Sequence, residues 1–321
     1  MFRFMSTVVC TALLCAATQV YAAYPDKTIR MIIPLAAGSA VDNAARVLAE
    51  RMSANMGVSI ILENEPGASG QIGASQVARA APDGYTIGGF NDSIMTMLPN
   101  VRSHLPWDIL KDFEPVSLVA TVEWGLVASR ESPYQSAADV IKAAKASPGK
   151  INYGSGGIGS PQHIAMALFS ADAGISLRHV PYKGATQAAV AVAGNEVSLA
   201  FQGLATVTAL VNTEKVRLIG VTTPSRMPQY PNVPTISESG LKGFQFNSWF
   251  TIVAPAGTPK NIIDRLNAEV VKALKDPKVI ERYAHFGLTP RGSTAQELGA
   301  ETRSQLARYH KLIHDAGIAV N

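Results

Sequence analysis

Three times along this chain an apolar, β-branched or aromatic run turns through glycine straight into the start of a helix. A chain built from strands alone or helices alone has no place for that order, so it restricts the fold to the α/β class. The turns are Leu35 to Asp42 (LAAGSAVD), Gly67 to Gly73 (GASGQIG) and Gly154 to Ser160 (GSGGIGS). Each presents backbone N–H groups at a helix N-terminus, where the helix dipole favours an anion.

The elements around the turns follow the same alternation. Thr28 to Ile33 predicts a buried strand, and Val41, Ala45, Leu48, Met52 and Met56 then form one apolar helical stripe with Asn43, Arg46, Glu50 and Ser53 opposite. Gly57 closes that helix and Val58 to Leu62 predicts a second strand, a unit that handedness rules make a parallel crossover. Tyr85 to Phe90 predicts a third strand. From Leu118 a second region opens with SLVATVEWGLVASR, a helix over Ser136 to Ala146, and further strands at Ser176 to Val180, Val197 to Phe201, Arg217 to Val221 and Phe250 to Ala254. Amphipathic helices are expected over Lys260 to Leu274 and Ala295 to Ala316. Two such sheets in 321 residues predict two lobes, each a mostly parallel sheet flanked by helices, with a cleft where strand ends and helix N-termini converge.

Arg3, the apolar run Val8 to Ala17 and Val20-Tyr21-Ala22 form a secretory signal peptide over residues 1–22, cut near Ala22, so the expected compartment is the periplasm. Both cysteines, Cys10 and Cys15, fall inside it, so neither disulfides nor thiol chemistry is expected of the mature chain. Without Arg3, 27 basic residues face 24 acidic ones, too even a balance to imply nucleic acid. His310 and His314 share a helix face but bring no evident third ligand, so no metal is expected.

Several catalytic patterns fail on their details. Gly154, Gly156 and Gly159 satisfy G-x-G-x-x-G after a strand, yet the next strand runs into His179-Val180-Pro181-Tyr182-Lys183 where a dinucleotide site expects an acid. A hydrolase elbow G-x-S-x-G around Ser155 would need glycine at the position of Tyr153. Ser155 with His163 as base is therefore a weak hydrolase reading, and a serine beside such a turn more often donates to an anion or a backbone group. No cofactor and no catalytic residue are expected.

Taken together and in order, the turns resemble a known family. ILENEPGASGQIGASQVARAAPDGYTI, NYGSGGIGSPQHIAMALF and HVPYKGATQAAVAVAGNEVSLAF are similar to the periplasmic substrate-binding proteins of tripartite tricarboxylate transporters, the TctC-like or Bug receptors. The resemblance implies a type II, Venus-flytrap binding protein that clamps a carboxylate between lobes, works as a monomer, and delivers its ligand to TctA/TctB-like membrane permease subunits. It implies a first lobe of residues 23–123 plus 249–321 and a second of 124–248. Its ligand loops match Leu35, Ala36, Ala37, Gly38, Ser39, Val41 and Asp42, then Gly67, Ala68, Ser69 and Gly70, with Asn91 and Ser93. In the second lobe the matching positions are Ser155, Gly156, Ser160, His163, Lys183, Gly184, Ala185 and Gln202. A receptor that informs a sensor histidine kinase is the alternative use of the same design.

One departure bears on the ligand. The family's first turn commonly carries glycine and then serine or threonine before the aspartate, where this chain has Ala40-Val41. Either Val41 simply begins the helix's buried stripe, or these methyl groups face the cleft and favour a ligand with apolar carbon over a hydroxyl-rich one such as citrate. Gln202 is neutral where amino-acid binders of the family place an acid, which also disfavours an ammonium ligand. An aromatic or aliphatic dicarboxylate such as terephthalate is the expected ligand, with nicotinate-like acids next.

Overall fold

The computed structural model describes residues 24–315; the expected export segment, with Cys10 and Cys15, lies outside the described residues. In chain order β1 (Ile29–Ile33), α1 (Ala40–Met56), β2 (Ile60–Asn64), a 3-10 turn (Ala68–Gly70), α2 (Gln71–Ala78) and β3 (Thr86–Asn91) come first. A π-type turn (Ser93–Met97) leads into α3 (Leu98–Val101) and then the long strand β4 (Phe113–Ser129). Next come α4 (Ala137–Ala146), β5 (Asn152–Ser155), α5 (Pro161–Ala173), β6 (Arg178–Pro181), α6 (Ala185–Ala193), β7 (Leu199–Gly203), α7 (Leu204–Asn212) and β8 (Val216–Val221). β9 (Asn247–Pro255), α8 (Lys260–Leu274), α9 (Pro277–His285), β10 (Leu288–Pro290) and α10 (Ala295–Asp315) complete it.

The strands join in the order β2-β1-β3-β9-β4-β7-β5-β6, with β8 and β10 also on β4. β1 pairs in parallel with β2 and β3, and β5 with β6 and β7, so the strand-helix-strand units are the parallel crossovers the sequence implies. Antiparallel pairing enters through β4 and β9, which makes the sheets mixed. The reason is topological: β4 leaves the first lobe and β9 returns to it, so the two run in opposite directions side by side. Residues 113–123 of β4 pair with β9, whereas from Trp124 onward β4 pairs with β7 and β8. The first lobe thus holds β1 to β3, β9, β10 and one end of β4; the second holds β5 to β8 and the other end.

Local chemistry sets the boundaries of the elements that matter for the cleft. β1 reads IRMII with only Arg30 exposed, the pattern of a strand covered on both faces. α1 starts at Ser39, whose hydroxyl accepts from the Asp42 N–H, and ends at Gly57 in the left-handed conformation. α5 starts at Ser160, which accepts from the His163 N–H, with Pro161 in the first turn. The stripe Val41, Ala45, Leu48 and Met52 is buried as its spacing requires. α9, which the apolar pattern did not show, packs on this helix: Tyr283 is fully buried and donates to the Ala44 carbonyl at 2.9 Å. Burying each large side chain such as Phe90, Phe250 or Ile32 contributes about 1.5–3 kcal/mol.

Candidate functional site

Five helices begin at one cavity between the lobes. Ser39, Gly70, Ser160, Gly184 and Gly203 are the residues that precede α1, α2, α5, α6 and α7, and all five line it. The partial positive charges of these N-termini converge there. Among the described residues Lys183, at the exposed rim, is the one charged side chain on the wall, and no carboxylate lines it. Asp92, between the wall residues Asn91 and Ser93, is fully buried, and burial pushes its carboxyl well above the usual range, which weakens its negative charge.

The first turn is held from behind by Asp42. Its carboxylate, 1% exposed, accepts from the Gly38 N–H at 2.8 Å, from Arg46 Nε at 3.0 Å and from Asn64 Nδ2 at 3.0 Å. Asn64 Nδ2 also reaches the Leu35 carbonyl at 3.1 Å. Gly38 sits at φ +74°, a conformation that glycine enters without a Cβ clash. The carboxylate therefore shapes the loop from outside the cavity, and the Gly38 N–H is engaged by it.

Hydroxyl groups tie the lobes together around the cavity. Ser69 Oγ donates to the Ile158 carbonyl at 2.7 Å, Ser93 Oγ to the Gly159 carbonyl at 2.8 Å, and Thr186 Oγ1 to the Ala37 carbonyl at 2.9 Å. From the first lobe the Ala40 N–H donates to Thr206 Oγ1 at 2.9 Å, and Asn43 Nδ2 to the Ala205 carbonyl at 2.8 Å. Gly184 lies so close to the first lobe that an added Cβ would stand 2.9 Å from Ala36 Cβ. The lobes are closed on each other.

Ser155 belongs to the support of the second-lobe turn. It is fully buried, its Oγ lies 2.5 Å from His179 Nε2, and it accepts from the Gly157 N–H at 3.1 Å. His179 is stacked between Tyr153 (ring centroids 4.9 Å) and His163 (4.5 Å). His163 Nδ1 accepts from the Gly159 N–H at 3.3 Å, and burial together with neighbouring His179 pulls its pKa down to about 4. Burial lowers His179 as well. This stack supports the Gly156–Ser160 turn with uncharged rings.

The family model described as the tripartite tricarboxylate transporter family receptor, TctC, matches residues 44–318. The chain belongs to that family. Among solved structures, this TctC-family chain is similar to the periplasmic binding protein BugD, with 33% identity over 92% of this chain and 99% of that one, and a TM-score of 0.88. It is similar to an R. palustris protein solved with adipate, at 32% identity over 92% and 99% of the two chains, with a TM-score of 0.90. MatC of Rhodopseudomonas palustris, solved with malate, shares 27% identity over 90% and 100%, with a TM-score of 0.85. The TctC-family chain has their two-lobed periplasmic binding protein fold.

Of the positions the sequence pointed to in this family member, Leu35, Ala36, Ser39, Val41, Gly67, Ser69, Gly70, Asn91, Ser93, Gly156, Ser160, Lys183, Gly184 and Ala185 line the cavity. Ala37, Gly38, Asp42, Ala68, Ser155, His163 and Gln202 do not line it, and Ala37 and Ala68 are exposed to solvent. Gln202 is fully buried, donating to the Ala185 carbonyl at 3.1 Å and accepting from Gln162 at 3.4 Å. Val41 answers to both readings, since it packs in the core and lines the cavity. Gln162, Thr206, Trp124 and Ser248 are wall residues that sequence reasoning missed. Thr206 was within reach: Gly203-Leu204 is a further strand-to-helix turn of the same kind.

Proposed function

We propose that this chain is the periplasmic solute receptor of a tripartite tricarboxylate-type transporter, and that it captures a dicarboxylate with an apolar carbon frame, aromatic or aliphatic, in the inter-lobe cavity. The observation that carries the reading is the convergence of five helix N-termini from both lobes on a wall whose one charged side chain, among the described residues, is Lys183. Such a site stabilises carboxylates and offers an ammonium group no counter-charge. Ala40, Val41, Leu35, Trp124 and Pro161 supply apolar surface between the polar turns. The relative solved with adipate supports an unsubstituted diacid.

Delivery to TctA/TctB-like membrane subunits follows from the same reading, as does export behind a signal peptide cut near Ala22. The Ser155–His179 pair lends no support to hydrolysis, because a nucleophile has to reach its substrate and Ser155 is fully buried off the wall. Native mass spectrometry of protein isolated from the periplasm tests the reading. An unmodified dicarboxylic acid that is released on denaturation supports it. An amino acid as the bound species, or conversion of the bound acid by the protein, would overturn it.

A further inference from the structure

Trp124 stands where β4 exchanges its partner β9 for β7, and its ring borders the cavity while being 3% exposed. The indole N–H, its one donor, is engaged: Nε1 lies 2.7 Å from Ser248 Oγ on β9. Phe246 meets the ring edge-to-face at 5.2 Å and 85°, and the Trp124 carbonyl accepts from the Thr222 N–H at 3.0 Å and from Thr222 Oγ1 at 3.1 Å. Both ring and backbone are therefore fixed, and the surface turned to the cavity is an aromatic one without a free donor.

The hydroxyls near this surface each hold one partner already. Ser69 and Ser93 donate across the lobes, Thr206 accepts from Ala40, and Ser39 and Ser160 accept from their own helices. A carboxylate at either end still meets the helix N-termini. The indole, its N–H taken by Ser248, offers a hydroxyl group no acceptor and no free donor.

Resting on the receptor reading above, we propose that Trp124, held by Ser248, is the specificity-determining residue of this cavity, selecting diacids whose central carbons are unsubstituted and rejecting their hydroxylated counterparts. An unpaired hydroxyl against an apolar wall reduces affinity by about tenfold or more. The pair also joins the two strands that cross between the lobes, so ligand contact with the indole falls on the hinge itself.

Titration calorimetry on the ligand-free protein compares succinate with malate, two acids of equal carbon count that differ by one hydroxyl, with adipate alongside. Succinate is expected to bind about tenfold more tightly than malate. Trp124→Gln, which presents hydrogen-bonding groups in place of the ring, is expected to lower adipate affinity by about tenfold and to abolish the succinate-over-malate preference. Trp124→Phe keeps an aromatic wall and is expected to keep the preference while both affinities fall. Malate binding as tightly as succinate to the unaltered protein overturns the proposal, and needs no variant to fold. A Trp124→Gln protein that loses all acids by one common factor also overturns it, since that is a structural effect. Failure of every diacid to bind the unaltered protein contradicts the receptor reading instead, so the two failures are distinct.

Discussion

Ser93 in the first lobe donates its hydroxyl to the Gly159 carbonyl in the second, 2.8 Å away and buried. A bond of this kind exists only when the lobes are closed, so it belongs to the energetics of closure. Ser93→Ala leaves the Gly159 carbonyl without its donor, a loss of about 1–3 kcal/mol. Weaker dicarboxylate binding, by about tenfold, is expected by calorimetry, together with a larger radius of gyration at subsaturating ligand. Unchanged affinity and unchanged scattering would show that closure does not depend on this bond.

Gly184 makes a sharper test of closure. Its backbone is extended, at φ −175°, which alanine adopts without strain, yet the added methyl would stand 2.9 Å from Ala36 Cβ across the cleft. Gly184→Ala is expected to melt within a few degrees of the unaltered protein while ligand affinity falls by tenfold or more. An alanine variant that binds normally would show that the lobes do not approach this closely when loaded.

For Ser155 the structure changes the expectation. The hydroxyl supports His179 and the Gly157 N–H from behind the wall, so Ser155→Ala is expected to lower the stability of the protein by about 1–2 kcal/mol. Denaturant unfolding measures this directly. A large loss of ligand affinity without a loss of stability would return Ser155 to the ligand's surroundings.

The pH dependence has a definite sign. His163 is held neutral, its pKa pulled down to about 4 from an ordinary 6.5, so the unfolded chain binds the proton more readily. Stability is complete above pH 6.5 and falls as the pH drops toward 4, by on the order of 3 kcal/mol at most. His179 contributes in the same direction. Replacing His163 by Gln should flatten the melting temperature across this window, and an unaltered slope would remove His163 as its cause.

What the sequence made legible was local. A helix start is written in a few adjacent residues, so Gly38-Ser39, Gly70, and Ser160 with Pro161 disclosed three turns, whereas Lys183, Gly184 and Ala185 came only with the family resemblance. α8 was readable to the residue because its apolar face is strongly periodic. α9 was not, although Asp276 and Pro277 carry a helix-start signal, because its buried face rests on only Val279 and Tyr283 in a charged stretch. Contacts between distant segments stayed hidden. Ser155 finds His179 from the neighbouring strand, Asp42 is drawn to Asn64, and Trp124 and Ser248 meet only because β4 and β9 cross side by side. A strand residue facing a cleft reads in sequence like one facing a core.

The central claim, an inter-lobe site for dicarboxylates set by helix N-termini rather than by paired charges, is tested most directly by calorimetric titration of ligand-free protein with adipate, terephthalate, benzoate, citrate and glutamate. One-to-one binding of adipate or terephthalate, with citrate and glutamate weaker by about a hundredfold or absent, is the expected result. Binding of citrate or glutamate alone would contradict it.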